Sequence, residues 1–240
     1  MLAVIGDVHG CINTLRALVA RIRNSFPAIT IYQVGDLVDR GLFSAETISY
    51  VLDEGIQFCK GNHDLMFLEA MRNRNDRIMN TWFANGGSTT VDSYSVNNGC
   101  LIPHLDAIVE APLFFDLEDC FISHAGLARH LYSVYYRNGV LDPDSIMKYN
   151  TENLYAEDSI LWNRSPLMDI GKLQIVGHTR QQKVNFVAAY RTLYIDTAVY
   201  SPRKLSAVVI DEGEVVEQFS EGTSLDDLPD SLFAEKKKKT

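Results

Sequence analysis

Within the first 64 residues, three short apolar runs each end in a polar cluster: MLAVI before GDVHG, ITIYQV before GDLVDRG, and IQFC before KGNHD. Each run reads as a buried strand. Between them lie two amphipathic segments of helical length. The first places Ile12, Leu15, Leu18, Val19, Ile22 and Phe26 on one stripe and stops at Pro27. The second has Ser44 as a candidate N-cap, Glu46 in its first turn, Ile48, Val51 and Leu52 as its buried face, and Gly55 as a C-cap. Strand, polar loop and helix in repetition build a parallel sheet whose loops gather at one edge. In open α/β sheets that edge is where ligands bind. Here it collects Asp7, His9, Asp36, Asp39, Asn62, His63 and Asp64, with Gly6, Gly10, Gly35, Gly41 and Gly61 allowing tight turns beside them.

Beyond Asp64 a helix is expected with Leu65, Leu68 and Met71 as its apolar face and a polar back from Arg72 to Asp76, then a short helix in IMNTWFANGG. Ser88 to Cys100 is weakly patterned and yields no element. Pro103 to Ala111 reads as a helix. LFFDLEDCFISHAG reads as a hairpin turning at Glu118 and Asp119 and delivering His124 at its end. Residues 128–160 hold Tyr132, Tyr135, Tyr136, Tyr149 and Tyr155. They suit a substrate-selecting cap or a set of peripheral helices. LQIVGHT, VNFVAAY, TLYIDTAVY, KLSAVVID and GEVVEQF follow as short strands, implying a second, mainly antiparallel sheet. Residues 1–220 are expected to form a single catalytic domain, with 221–240 a charged, structureless tail.

The charge balance narrows the function. The net charge is −9, and the one basic run, Lys236 to Lys239, reads as a solvated tail. A nucleic-acid partner is not expected, because a duplex binder carries a basic face. The opening strand has neither a charged leader nor a long apolar run, and the four scattered cysteines form no CxxC pair. These features point to a cytoplasmic protein with no membrane partner and no zinc ribbon. Of the six histidines, His9, His63, His124 and His178 each sit where an apolar run ends, whereas His104 and His130 do not. That many ionisable groups at one sheet edge are costly to pack unpaired. Metal resolves the cost, and imidazole mixed with carboxylate suits manganese, iron or zinc ahead of calcium or magnesium. One ion cannot use all these groups and leave room for substrate. Two ions bridged by one carboxylate, roughly 3.5–4 Å apart, can.

The blocks GDVHG (6–10), GDLVDRG (35–41), GNHD (61–64), HAG (124–126) and GHT (177–179) occur in one order along the chain. In this the sequence resembles the calcineurin-like metallophosphoesterases. Within them it is similar to the phosphoprotein phosphatase branch, which also holds bacterial and phage serine/threonine phosphatases and the symmetrical diadenosine tetraphosphatases. The resemblance implies an α/β fold, a four-layer α/β/β/α sandwich of two mixed sheets. It implies two divalent transition-metal ions, manganese foremost, with Asp7, His9 and Asp36 holding the first. Asp36 bridges to the second, which Asn62, His124 and His178 complete. It implies a hydroxide between the ions that attacks phosphorus in line, His63 as general acid and Asp39 as its orienting partner. Arg40, Arg164 and Asn62 bind the substrate phosphate.

Three departures bear on the substrate. Asp64 stands where eukaryotic phosphoprotein phosphatases usually carry Glu. Asp196, Thr197 and Ala198 replace the usual DTG. Asp39 is kept where the best-known bacterial diadenosine tetraphosphatase has alanine. Asp64 weakens the likeness to the eukaryotic protein phosphatases, whereas Asp39 and the NGG after Trp82 favour phosphoserine or phosphothreonine in proteins, with phosphotyrosine within reach, or a phosphorylated small molecule. The alternative is a symmetrical diadenosine tetraphosphate hydrolase, which would need an adenine pocket. Tyrosines between 132 and 155 could supply it by stacking. An inactive scaffold would be expected to lack His63 or a ligand, and a nuclease fits poorly with the acidic balance.

Overall fold

A computed structural model describes residues 1–73, 76–230 and 232. The first half runs β1 (Leu2–Ile5), α1 (Ile12–Ser25), β2 (Thr30–Gln33), α2 (Ser44–Asp53), β3 (Gln57–Phe58), α3 (Asn62–Asn73), α4 (Asp76–Ala84), α5 (Ser88–Val96) and α6 (Leu101–Glu110). The second half runs β4 (Phe114–Asp116), β5 (Cys120–Ser123), α7 (Tyr132–Tyr135), β6 (Tyr136–Arg137), β7 (Val140–Leu141), α8 (Pro143–Glu152), β8 (Leu173–Val176), β9 (Asn185–Val187), β10 (Thr192–Tyr194), β11 (Lys204–Asp211) and β12 (Glu214–Gly222).

Two five-stranded sheets result, ordered β12-β11-β1-β2-β3 and β4-β5-β8-β10-β9. Their cores are parallel (β1, β2, β3 and β5, β8, β10), and their flanking strands are antiparallel. The period of two along each central strand sorts side chains between layers. Leu2 and Val4 of β1, with Val208 and Ile210 of β11, pack against Ile122, Ile175 and Leu193 between the sheets. Ala3, Ile5, Ala207 and Val209 face the other way, onto α1, whose Ile12, Leu15, Leu18, Val19 and Ile22 form the buried stripe expected from their spacing. Beyond the second sheet, Phe121 packs with Tyr135 and Ile146 of the 128–160 segment. The layers are therefore α/β/β/α, and the 128–160 segment supplies the outermost one.

Several sequence expectations need correction. The strands after residue 170 do not make one antiparallel sheet. β11 runs antiparallel beside β1 and carries β12 with it into the first sheet, while β8 and β10 run parallel to β5 in the second. SAVVI in β11 is buried on both faces, and a continuous apolar run does not say which neighbour it chooses. Ser88 to Cys100, for which no element was expected, forms α5 and a 3-10 turn. Ser44 does not cap α2. Phe43 holds that position, while the Ser44 hydroxyl accepts from the Asp39 N–H at 3.1 Å. The segment from 221 is not structureless as far as 230. β12 runs on to Gly222 and a 3-10 turn spans Leu225–Asp227, with Asp227 and Leu228 buried. Tertiary partners fix this stretch despite its lack of periodicity. Ser231, residues 233–240 with the lysine run, and Arg74 and Asn75 lie outside the described residues.

Candidate metal centre

The carboxyl ends of the six parallel strands meet at one rim. β1 leads to Asp7 and His9, β2 to Asp36, β3 to Asn62 and His63, β5 to His124, β8 to His178, and β10 to Asp196. Backbone hydrogen bonds lock these loops together. The N–H groups of Val8 and His9 donate to the Asp36 carbonyl at 3.1 and 2.9 Å, and Gly177 N–H donates to His124 O at 2.9 Å. Local geometry is unusual where chemistry is expected: His9, Asp36, Asp39, Arg40 and His178 all hold left-handed φ, from 46° to 72°. Such residues persist only where their surroundings over-determine them. Ala198, in the place of the DTG glycine, adopts φ 60° as well. The turn therefore survives the loss of glycine, at a cost of ~1–2 kcal/mol.

Two groups of candidate ligands overlap at Asp36. Ligand atoms of Asp7, Asp36 and His124 lie within 4.8 Å of one another, as do those of His9, Asp36 and His63. Asp36 Oδ2 is 3.5 Å from His9 Nε2, and Asp36 Oδ1 is 3.4 Å from His124 Nε2. Asn62 Oδ1 stands 2.8 Å from His124 Nε2 and 2.9 Å from His178 Nδ1. The His124 Nδ1–H donates to the Val34 carbonyl at 2.9 Å, and the His9 Nδ1–H donates to that of Val38 at 2.8 Å. Both rings therefore turn an Nε2 lone pair into the centre, that of His9 facing Arg40 Nη1. The His124 lone pair, Asn62 Oδ1 and Asp36 Oδ1 are all acceptors facing one another, and a shared cation satisfies all three.

The electrostatics agree. Burial, with Asp196 and Asp36 adding repulsion, pushes Asp7 well above the usual carboxylate range, and burial likewise raises Asp36. Burial pushes His9 and His178 well down and His124 to about 4. Burial disfavours the charged form of carboxylate and imidazole alike: it keeps the imidazoles neutral, as metal ligands must be, and leaves the carboxylates in want of a cation. The donor set thus fits divalent metal, with Asp7, His9, Asp36, Asn62, His124 and His178 all at the rim. The grouping by proximity differs from the sequence expectation: His63, not Asp7, lies with His9 and Asp36, and Asp7 lies with Asp36 and His124.

His63 has a distinct second set of partners. Its Nδ1–H donates to Asp39 Oδ2 at 2.7 Å, and its Nε2 accepts from Arg40 Nη2 at 2.8 Å. Arg40 Nη1 reaches His9 Nε2 at 2.6 Å, and its guanidinium lies 4.3 Å from the Tyr200 ring centre. Burial takes His63 down to about 3 and Asp39 up to about 7, the latter against hydrogen bonds from Thr90 and Trp82. Those bonds are short: Thr90 Oγ1 donates to Asp39 at 2.7 Å, and Trp82 Nε1 at 2.9 Å. The NGG after Trp82 closes the unit, since Arg40 N–H donates to Gly86 O at 3.1 Å. Arg164 is exposed on the wall of a cavity of about 810 Å³, shared with His130, Tyr155, Asp158 and Trp162. Its charge further lowers His124 and His178.

Sequence reasoning missed several positioning residues. Asp64 accepts from Asp36 N, Leu37 N and Gly61 N at 2.8 to 2.9 Å, fixing the loop that carries Asp36. Asp196 adds a buried carboxylate beside Asp7. Tyr200 packs edge-on to His9, with ring centres 5.0 Å apart. Its place at the end of DTAVY was the only signal available. Gly177 is required by Asp7: a Cβ there would overlap Asp7 Oδ1, while His178 N–H donates to Asp7 Oδ2 at 3.1 Å. Gly177→Ala is expected to displace that carboxylate and weaken divalent-metal binding about 10- to 100-fold, as loss of ligand-orienting contacts does. Calorimetric titration of the metal-stripped variant checks this.

A family model described as calcineurin-like phosphoesterase matches residues 1–194. Over 67 residues the chain is 43% identical to the symmetrical bis(5'-nucleosyl)-tetraphosphatase of Klebsiella pneumoniae (strain 342), an alignment covering 27% of this chain and 24% of that protein. The match thus spans about a quarter of the relative's length. The cold-active protein-tyrosine phosphatase of a psychrophilic Shewanella species superposes with a TM-score of 0.60 at 17% identity, covering 93% of this chain and 80% of the other. A protein serine/threonine phosphatase from Saccharomyces cerevisiae does so with a TM-score of 0.51 at 15% identity, covering 95% and 81%. At such identities these structures share the fold.

Proposed function

The chain belongs to the calcineurin-like phosphoesterase family, and from that premise we propose a phosphoric ester hydrolase, a two-metal phosphatase whose substrates are phosphomonoesters, foremost phosphoserine and phosphothreonine in proteins. The observation that carries the reading is the pair of candidate ligand groups sharing Asp36, one of them containing His63, which Asp39 and Arg40 hold from its two ring nitrogens. Asp7, His9 and Asp36 would hold one cation and Asp36, Asn62, His124 and His178 the other, manganese being the proposed metal. When bound, such ions supply Lewis acidity toward phosphoryl oxygen and lower the pKa of water toward neutrality.

The chain's own groups do the rest. Arg40 offers a two-pronged donor to the phosphate oxygens, and Arg164, on the wall of the large cavity, would add a second guanidinium. His63 starts neutral, because burial and the adjacent guanidinium disfavour its charged form. A phosphate dianion adds negative charge beside Nε2 and takes Arg40 as its own partner. Both changes favour a proton on Nε2, from where it passes to the leaving alkoxide oxygen. Asp39 fixes the tautomer from the other side, and its own donors, Trp82 and Thr90, fix Asp39. Retention of Asp39 with its Trp82 and NGG supports the phosphomonoester preference. No helix among the described residues is long and apolar enough to cross a membrane, and a cytoplasmic site of action is part of the proposal.

One observation favours hydrolysis of a dinucleoside polyphosphate instead. A second cavity, about 560 Å³, is walled by Met66, Ile78, Tyr155 and Trp162, surfaces on which a purine could lie. With manganese present, the protein is expected to turn over p-nitrophenyl phosphate and a phosphoserine peptide more efficiently than diadenosine tetraphosphate, compared by kcat/KM. Efficient cleavage of the dinucleotide alone would reverse the assignment.

A further inference from the structure

The start of α1 is capped from the far end of the chain. Cys11 occupies the N-cap position without a side-chain cap, and the first turn holds no acidic residue. The missing acceptor comes from Asp227, 0% exposed. One oxygen accepts from Asn13 N and Nδ2, both at 2.9 Å; the other accepts from Thr14 N at 2.9 Å and Thr14 Oγ1 at 2.6 Å. Four donors and the positive end of a 14-residue helix compensate this buried carboxylate. Fixing the side chain also fixes its backbone, and the Asp227 carbonyl accepts from Leu42 N–H at 2.9 Å. Leu42 lies two positions beyond Arg40. The same strap holds a third loop, for Thr223 Oγ1 donates to the Val199 carbonyl at 2.8 Å, next to the Tyr200 on which Arg40 stacks. Asp227 lies beyond the region matched by the family model, residues 1–194.

We propose that Asp227 is a positioning residue for the phosphate site: by pinning residues 223–228 across the N-terminus of α1, it holds the Arg40 loop in register with the His9 loop. The side chain touches neither substrate nor metal. It acts through Leu42 on Arg40, and through Asn13 and Thr14 on the turn that follows His9. The kinetic half of this inference rests on the phosphatase reading; the structural half does not.

Asp227→Ala and Asp227→Asn in the full chain test it, with hydrogen–deuterium exchange followed in peptides covering 9–15 and 38–43. The Ala variant is expected to exchange about tenfold faster or more in both segments, as local opening becomes easier. In p-nitrophenyl phosphate hydrolysis, KM should rise on the order of tenfold and inhibition by inorganic phosphate weaken in parallel, with kcat within about threefold, the pattern of lost binding rather than lost chemistry. The Asn variant, keeping one carbonyl acceptor, should fall between, and it carries the test if the Ala variant does not fold. A lowered melting temperature with unchanged exchange at 38–43 and unmoved KM and phosphate inhibition would reduce Asp227 to a helix cap and overturn the inference. If the wild-type protein hydrolyses no phosphomonoester, the functional reading fails, and the exchange at 38–43 still decides whether the strap exists.

Discussion

Asp36→Asn is expected to abolish tight binding of paired metals and to lower phosphatase turnover on the order of 10³-fold, about 4 kcal/mol in barrier height. The substitution is nearly isosteric, and Oδ1 can still accept the His63 N–H that it accepts now at 2.9 Å. What it removes is charge at the one residue common to both ligand groups. The loss should be accompanied by a second, opposite signature. Burial raises Asp36, and it in turn raises Asp7 and Asp64, so without metal the carboxylate is a liability to the fold. The stripped variant should therefore melt no lower than the stripped wild type. Added manganese should raise the melting temperature of the wild type alone, since only a state that binds ligand is stabilised by it. Elemental analysis showing two tightly held ions in the variant would contradict the assignment of Asp36 as the shared ligand.

Much of this centre could be read from the sequence, because its ligands follow apolar runs and the runs are strands. Asp7, Asp36, Asn62, His124 and His178 lie one to four residues past the ends of β1, β2, β3, β5 and β8. Once the parallel order is granted, their meeting at one rim follows from topology. The parts that were not legible depend on partners distant in sequence. Nothing in KLSAVVID says that β11 will lie against β1, because both faces are apolar and either sheet would bury them. Asp64 reads as one more acidic residue of GNHD, yet it fixes the Asp36 loop through three backbone N–H groups. Asp227 sits in an aperiodic, acidic stretch that suggests a tail, and only Thr14 and Asn13 reveal it as a cap. Left-handed φ at His9, Asp36 and His178 is likewise invisible to propensity, which assigns such geometry to glycine. Sequence patterns report the faces of elements; the bonds that hold loops in strained shapes are made by residues that no period links.

His63→Asn is expected to separate chemistry from metal binding. The variant should hold the same two ions as the wild type and hydrolyse phosphomonoesters at least ~10²-fold more slowly, the usual scale of a lost general acid. The amide can still face Asp39 but has no group that titrates near neutral pH. The loss should depend on the leaving group. An alkyl phosphate such as a phosphoserine peptide releases a basic alkoxide and needs the proton; p-nitrophenolate leaves unprotonated. The wild-type to variant ratio should thus be larger for the peptide, and near-equal ratios would mean that His63 acts on bound phosphate through charge rather than by proton transfer. The position of Arg40 sharpens the test, because its guanidinium now faces His63 Nε2 and His9 Nε2 together. Arg40→Ala should raise KM and weaken inhibition by phosphate for both substrates alike, a uniform loss of binding. Wild-type rates on the peptide with His63→Asn would remove this imidazole from the mechanism and leave Arg40 and the metal ligands to account for turnover.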